Sequence, residues 1–422
     1  MIVPFIFSLD PVSSMPCLWC FYKGVSFAKK ELWPVIAQER YFSSYGDMPE
    51  DYAFFEQDEV CYKFDYDKPQ KEDLKKITQI KIPEILEADY ISSFPSQTDA
   101  YLASLKQPWE AMEKFFQKSI EIIEEKYNEK IEAFLVFQFC KFIDDVANRN
   151  KIPVIHYEWG PMRYDFYRNT AYFDWKGVCG NSNISERLKN FYSETDNTLP
   201  VFSRRELLAL FLDKQYLHYA TDEYGEPIYE MGIAFGYTTP TAISAFDGIS
   251  AKELYAKVKK YYPEEKICVR YHPGDPLHAE LRCKNEDRGN LFEFLLNCKR
   301  IACINSNVSF DAMLFNRYVY EEKWSQYGAV SNHLNEGITD KPLDIRTLNF
   351  LAFGLLVPFE LLNSVEYIRF RLREKNECKI YMYHLEYYLA TLQISKKIFE
   401  LKENERLSLI MAIRGNEDGR RD

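Results

Sequence analysis

The chain has 422 residues and a mass of 50.0 kDa, with 46% apolar, 16% aromatic and 28% charged residues. This length and balance fit two or three globular domains and exclude collagenous, low-complexity and disordered proteins. Lys and Arg number 53 and Asp and Glu number 64, so the net charge is −11. An acidic chain argues against nucleic-acid binding, because phosphate neutralisation requires a basic face.

The N-terminal residues 1–8 are apolar and lack a basic leader, so we expect a first β-strand rather than a signal peptide. No segment reaches the ~18 consecutive apolar residues that a membrane span needs. The 10 cysteines are scattered, and Cys17 and Cys20 form a lone Cys-x-x-Cys without a second pair at zinc spacing. We therefore expect reduced thiols in a cytoplasmic protein.

From residue 107 the hydrophobic pattern alternates between the two regular periods. It predicts a helix over 111–127, a buried strand over 131–137, a helix over 139–150 and a strand over 152–157. Strand, helix and strand in this order form a βαβ unit, which requires a parallel sheet.

A second alternating series follows a mainly helical segment at 184–220. Its predicted strands are 228–237, 266–271, 300–304 and 317–320, and its predicted helices are 251–261, 291–298 and 309–315. Helices are then predicted near 343–363, 364–373 and 376–398. We predict an α/β protein with Rossmann-like domains at 1–220 and 221–340, followed by a helical segment at 341–422 that packs across both.

Several familiar motifs are missing from the sequence. There is no Gly-x-Gly-x-x-Gly, no P-loop, no Gly-x-Ser-x-Gly and no His-Glu-x-x-His. Asp65 and Asp67 form an Asp-x-Asp that could hold a divalent metal on a nucleotide diphosphate, but such a short pair in an acid-rich region is typical of chance. We expect neither a metal nor a cofactor.

The strand at 266–271 runs into His272-Pro273 and a Gly turn. This order places His272 at the carboxyl end of a parallel strand, where open α/β sheets bind ligands. An imidazole there can donate to a phosphate or protonate a leaving phosphate oxygen. A plain turn with an unremarkable histidine is the alternative.

The strand at 300–304 ends in Asn305-Ser306-Asn307-Val308-Ser309, which opens the next helix. Hydroxyls and backbone N–H groups at a helix start favour an anion such as phosphate. Ordinary N-capping by Ser or Asn also explains the residues. The His-Pro strand end followed by the Ser–helix start favours a phosphate site built from His272, Pro273, Asn305, Ser306 and Ser309.

A third segment, His156-Tyr-Glu158-Trp-Gly-Pro-Met-Arg163, ends the strand of the first βαβ unit. Glu158 could act as a general base towards an acceptor hydroxyl, and Arg163 could pair with an anionic sugar. An ion pair at a strand end is the structural alternative. The aromatic and polar segments that contain Lys176 and Asn181 suit carbohydrate recognition, and also ordinary loop packing.

His272-Pro273 followed by Ser306 and Ser309 resembles the HP and Ser/Thr motifs of bacterial GT-B glycosyltransferases that use CMP-activated acid sugars. The chain resembles most the retaining β-Kdo (3-deoxy-D-manno-octulosonic acid) transferases of lipopolysaccharide and capsule assembly. The resemblance rests on residues 152–161, 172–177, 272–273, 305–315, 357–362, 366–371 and 380–384.

The resemblance implies a GT-B fold, with two Rossmann-like domains facing a cleft. It implies transfer of Kdo from a CMP donor to an oligosaccharide or lipid-linked glycan acceptor, in the cytoplasm or at the inner face of the bacterial inner membrane. His272 would assist the leaving phosphate, Ser306 and Ser309 would hold it, and Glu158 would act on the acceptor.

The chain departs from the family pattern in one place. The family carries an acidic nucleophile upstream of the HP histidine, where this chain reads Tyr237-Thr-Thr239-Pro-Thr241, and the next acid is Asp247. Three interpretations are open: Asp247 is the nucleophile, the reaction follows a different chemistry, or the protein is not catalytic. The alternatives are therefore a sialyltransferase-like enzyme, a UDP-sugar GT-B enzyme such as an epimerase, and a silent glycan-binding subunit.

Overall fold

The computed structural model describes residues 1–10, 14–43, 69–137, 139–163, 165–177, 181–194, 198–236, 248–272 and 281–416. The chain divides into two compact units. The first unit comprises residues 1–158, 172–178 and 359–372, and the second comprises 159–171, 179–358 and 373–422. The bounds of these units differ from those of the predicted domains. Residues 179–220 belong to the second unit rather than to the first, and the segment after 340 is divided between the two units.

The first unit is built on a sheet in which five neighbouring strands are parallel. Its strands run in the order β6-β5-β4-β1-β2-β3, and β3, β2, β1, β4 and β5 are parallel neighbours in that order. This is the doubly wound order of a Rossmann fold, with its switch point between β1 and β4. The strands are β1 (Ile2–Ile6), β2 (Pro34–Gln38), β3 (Thr78–Ile82), β4 (Ala133–Phe137), β5 (Val154–Trp159) and β6 (Thr170–Asp174).

The helices of the first unit bury aromatic side chains against this sheet. They are α1 (Ser14–Glu31), α2 (Glu39–Ser43), α3 (Lys71–Lys76), α4 (Glu84–Ser92), α5 (Gln97–Lys106), α6 (Glu110–Tyr127) and α7 (Lys141–Arg149). In α6, acids occupy the first turn and Asn128 ends the helix in the left-handed conformation, at φ 50°. Its buried face places the ring of Phe116 4.9 Å from that of Phe5 and 4.8 Å from that of Phe134, which contributes aromatic packing to the core.

The second unit contains a smaller sheet in the order β10-β9-β7-β8, again with parallel neighbours. Its strands are β7 (Met231–Ala234), β8 (Ile267–Arg270), β9 (Arg300–Cys303) and β10 (Tyr318–Tyr320). A further strand, β11 (Leu356–Pro358), follows later in the chain and is not part of this smaller sheet. Its helices up to that point are α8 (Ile184–Glu194), α9 (Arg204–Phe211), α10 (Ala251–Lys259), α11 (Leu291–Asn297), α12 (Val308–Leu314) and α13 (Ile345–Asn349).

Local sequence explains how α10 is placed. Ser250 and Glu253 form a capping box that fixes the start of the helix. Leu254 and Val258 then pack with Ile233 and Val269 of the sheet in one apolar core. The α/β class with Rossmann-like parallel sheets, predicted from the sequence, is confirmed.

The C-terminal region differs from the prediction. The continuous helix expected near 343–363 is wrong: α13 gives way to a π-helical turn at Phe350–Leu355, then β11, then a 3₁₀ turn at Phe359–Asn363. Pro358 has no N–H and disfavours a helical conformation at Val357, which explains the interruption. The later helices are α14 (Val365–Arg373), α15 (Glu377–Thr391) and α16 (Glu403–Gly415). Among the described helices, none is both long enough and apolar enough to cross a membrane.

Candidate functional site

Three strands of the second unit end at the same level of the sheet. Ala234 of β7 is in register with Arg270 of β8 and with Cys303 of β9. The residues that follow these strands therefore emerge at one edge. The chain leaves β7 towards β8 on one side and leaves β9 towards β10 on the other, so the topological switch point lies between β7 and β9, where open α/β sheets bind ligands.

His272 lies at this edge, two residues beyond the end of β8, and its side chain is exposed. Tyr271 beside it is anchored: its ring centroid lies 5.5 Å from that of Phe235, and its hydroxyl donates to the carbonyl of Leu281. The strand thus holds the backbone that presents His272. Pro273 and Asp247 lie outside the described residues.

The turn after β9 forms the other side of the switch point. Asn305 adopts the left-handed conformation, at φ 45°, and its side-chain oxygen accepts a hydrogen bond from the N–H of Gln326 at 2.9 Å. Asn tolerates this conformation because its short polar side chain can bond locally. A Cβ built on Gly236, just beyond β7, would lie 4.0 Å from the carbonyl oxygen of Ile304, so the two strand ends approach each other closely.

The predicted phosphate ligands Ser306 and Ser309 differ in their surroundings. Ser306 is half-buried, and its hydroxyl accepts a hydrogen bond from the N–H of Val308 at 3.3 Å. Ser309 is fully buried and donates its hydroxyl to the carboxylate of Glu321. A contact of the Ser309 hydroxyl with phosphate would require it to leave Glu321. The helix that follows, α12, has 7 residues, and the N–H of Ser309 already donates to the carbonyl of Ser306 at 3.1 Å.

Glu321, at the end of β10, was not identified from the sequence. Its carboxylate accepts hydrogen bonds from the hydroxyls of Ser309 and Ser325 and from the N–H of Tyr327. Burial raises the pKa of Glu321 to about 7, and these donors, with the backbone of Ser306, hold it from rising further. An acid directly after a short apolar strand was the only available signal for it.

Asp311 on α12 is a second buried acid that sequence reasoning missed. Burial raises its pKa to about 7, and the hydroxyl of Tyr167 and the charge of Arg163 oppose the rise. Tyr167 lies near Asp311 but does not form a well-formed hydrogen bond with it. The hydroxyl of Tyr167 and Oδ1 of Asp311 are both buried atoms without a hydrogen-bonding partner among the described residues. Arg163, predicted to bind an anionic sugar, therefore lies close enough to a buried carboxyl to influence its ionisation.

Arg163 itself is held by its local turn. Its Nε donates to the carbonyl of Gly160 at 2.9 Å, and its guanidinium lies 5.4 Å from the ring centroid of Trp159. Only glycine fits at position 160, since a Cβ there would lie 2.3 Å from Oγ1 of Thr170 and 2.9 Å from its backbone. The turn that carries Arg163 is therefore conformationally constrained.

Glu158 and Lys176 belong to the first unit. Glu158 lies near the carboxyl end of β5 and is half-buried, and Lys176 is exposed. The carboxylate of Asp174 accepts from the N–H groups of Lys176 at 2.8 Å and Gly177 at 3.2 Å, which shapes the turn that carries Lys176. Asn181 lies in the second unit and is half-buried.

In the described ranges, no three His, Cys, Asp or Glu side chains form a group that could hold a metal ion. Asp65 and Asp67, the one acidic pair singled out in the sequence, lie outside those ranges. The described cysteines, which are Cys20, Cys140, Cys268, Cys283, Cys298, Cys303 and Cys378, are free thiols.

Comparison with protein families gives a match over part of the chain. Residues 5–183 match the model of the Glycosyltransferase 99 family N-terminal domain. No curated protein matches the sequence.

Solved structures with some similarity have low sequence identity. The beta Kdo 2,7 transferase of Thermosulfurimonas dismutans KpsC is 15% identical, with 60% of this chain and 90% of that chain covered and a TM-score of 0.38. The beta Kdo 2,4 transferase of the same KpsC is 13% identical, with 59% and 95% covered and a TM-score of 0.33. The Methanocaldococcus jannaschii UDP-GlcNAc 2-epimerase is 14% identical, with 92% and 100% covered and a TM-score of 0.31.

The raised pKa of Glu321 predicts a pH-dependent stability. Because its pKa is about 7 in the folded protein, against 4.5 as the ordinary value, the folded state binds more protons between these pH values. The free energy of unfolding should therefore fall as pH rises from about 4.5 to 7. Glu321→Gln cannot titrate, so chemical denaturation should show the variant gaining roughly 2–3 kcal/mol relative to wild type between pH 5 and 8.

Glu336→Gln is the matched control, since Glu336 is an exposed acid in the same unit. Other buried acids titrate in all three proteins and cancel in the differences. If the wild-type and Glu321→Gln curves run parallel across this range, Glu321 is not the buried titrating group that we describe.

Proposed function

We propose that the protein is a glycosyltransferase that moves an acid sugar, Kdo, from a CMP-activated donor to an oligosaccharide or lipid-linked acceptor in bacterial surface polysaccharide synthesis. The match of residues 5–183 to a glycosyltransferase family domain supports the reaction class. The observation that carries the proposal is the level ending of β7, β8 and β9, which brings His272 and the turn at Asn305–Ser306 to one edge of a parallel sheet.

The donor phosphate occupies this edge in the proposal. His272, exposed and held at the end of β8, donates to the phosphate and protonates the departing oxygen. The hydroxyl of Ser306 and the amide of Asn305 supply neutral hydrogen-bonding groups. Ser309 does not contact the phosphate; its hydrogen bond to Glu321 fixes the position of the segment that carries Asn305 and Ser306. A monophosphate donor carries less charge than a diphosphate, so histidine and polar groups suffice to neutralise it without a metal.

The remaining residues act on the sugars. Glu158 is the general base towards the acceptor hydroxyl, and Asp247 is the candidate nucleophile in a double-displacement reaction. Arg163, Lys176 and Asn181 bind the sugar groups, with the guanidinium of Arg163 directed at a carboxylate. In this proposal the reaction takes place in the cytoplasm or at the inner face of the bacterial inner membrane.

The donor class is tested by ligand-dependent melting. CMP should raise the melting temperature more than UDP or GDP at equal concentration, because a ligand that binds only the folded state stabilises it more the more tightly it binds. Ser306→Ala should reduce the shift with CMP. Ser408→Ala, which removes a surface hydroxyl from α16, should leave it unchanged. Equal or greater stabilisation by UDP would favour the UDP-sugar alternative.

The role of His272 is tested by donor turnover. His272→Ala should lower the rate of CMP release from the donor by roughly 10²–10⁴-fold, as expected for a positioned acid–base group. CMP should still bind, because the polar groups around Asn305 remain. His218→Ala removes an exposed histidine in the same unit and should have no effect. A wild-type protein that binds CMP yet turns over no CMP-sugar would favour the silent glycan-binding subunit.

A further inference from the structure

In the described part of the chain, one fully buried arginine of the first unit has no anionic partner. Arg371 on α14 is 0% exposed, and its Nη1 donates to the hydroxyl of Tyr367 at 3.0 Å. Its guanidinium carbon lies 4.5 Å from the ring centroid of Phe173. Its Nε and Nη2 are buried and have no hydrogen-bonding partner within the described part of the chain.

The two unpartnered nitrogens form one edge of the guanidinium, and other arginines of the chain use this edge for a carboxylate. Arg369, on the same helix, donates from Nε and Nη2 to the two oxygens of Glu132, at 2.9 and 2.6 Å. The same two-nitrogen edge holds a carboxylate in three other buried or half-buried pairs, which are Arg187 with Glu377, Arg406 with Glu206 and Arg300 with Asp340. Arg371 has the same edge, but among the described residues no group accepts a hydrogen bond from it.

Such an edge is selective in shape and charge. Its two parallel N–H groups match the two oxygens of a carboxylate or another oxyanion. A buried cation without an anion is costly, so an anion that reaches it should bind and stabilise the fold. A carboxylate carries one negative charge and neutralises the guanidinium, whereas a phosphate monoester carries about −1.5 to −2 and would leave excess charge in a buried place.

The surroundings of Arg371 suit a sugar that bears this carboxylate. Phe173, under the guanidinium, belongs to β6, and its ring lies 5.7 Å from that of Trp175 in the turn that follows. That turn also carries the exposed Lys176. We propose that Arg371 binds the carboxylate of a sugar acid through Nε and Nη2. The sugar part of this assignment rests on the proposed function.

The guanidinium is closed to solvent, which has a consequence for binding. An incoming sugar acid displaces the side chains that cover Arg371, and the ion pair then forms away from water, where hydrogen bonds to charged groups are strongest. Neutral sugars have no group for this edge, and a sugar acid whose carboxylate is converted to an amide cannot neutralise the cation.

The test uses the whole 422-residue chain and free sugars at matched ionic strength. Glucuronate and free Kdo should raise the melting temperature with saturable dependence on concentration, while glucuronamide should not. In Arg371→Lys, which keeps the charge but loses the two-nitrogen edge, the affinity for glucuronate should fall at least tenfold. Arg369→Lys is the matched control on the same helix, because Glu132 already occupies its edge, and its affinity for glucuronate should stay within twofold of wild type.

Three results would overturn the proposal: equal shifts with glucuronate and glucuronamide, an undiminished shift in Arg371→Lys, or a stronger response to inorganic phosphate than to glucuronate. If Arg371→Lys does not fold, the comparison of acid and amide on wild type decides. CMP is titrated on the same samples. A response to CMP without one to sugar acids refutes the role of Arg371 alone, and the reverse refutes the nucleotide donor while leaving Arg371 in place.

Discussion

The buried carboxylate of Glu321 ties together two turns at the carboxyl edge of the second sheet. It accepts the hydroxyl of Ser309 from the turn after β9 and the N–H of Tyr327 from the turn after β10. Asn305 closes the same connection from the other side by accepting the N–H of Gln326. The position of the Asn305–Ser309 segment therefore depends on a buried carboxyl group, and a buried polar group is stable only while its hydrogen-bonding partners stay in place.

This arrangement changes the meaning of the Ser–helix motif. A serine at a helix start suggests direct contact with phosphate. Here the more buried serine, Ser309, instead donates its hydroxyl to the buried carboxylate of Glu321. The proposed anion site therefore depends on a second layer of residues behind it. Glu321 accepts a hydrogen bond from the hydroxyl of Ser309, and the N–H of Ser309 donates to the carbonyl of Ser306. Ionisation of Glu321 as the pH rises through about 7 would destabilise that layer without touching the ligand.

Much of the fold could be predicted because its elements follow simple periodicity. Residues 111–127 were predicted to be helical and form α6, and the apolar run at 131–137 forms β4. Other strands carry less signal. β2 has only three apolar residues between Pro34 and Gln38, and the edge strand β3 reads Thr-Gln-Ile-Lys-Ile, so neither was predicted. The prediction of a helix at 343–363 is wrong because the apolar residues there fit both the helical and the strand period. Pro358 interrupts a helix, so part of the segment forms β11.

The site was harder to predict than the fold, for a physical reason. His272 and Ser306 follow strands, and the rule that parallel strands end at one edge brings them together. Glu321, Asp311 and Arg371 gain their character from burial and from partners distant in sequence, which no local pattern encodes. In the sequence, Arg371 stands among the charged residues of an ordinary amphipathic helix. Only the packing of α14 shows that two of its nitrogens are buried without a hydrogen-bonding partner among the described residues.

A structure of the protein with bound CMP tests the central claim most directly. The account predicts that the phosphate lies between the ends of β7 and β9, within hydrogen-bonding distance of His272 and of the Asn305–Ser306 turn, while Glu321 keeps its bond to Ser309. A nucleotide bound at the switch point of the first unit, between β1 and β4, with the edge of the second sheet unoccupied, would contradict it.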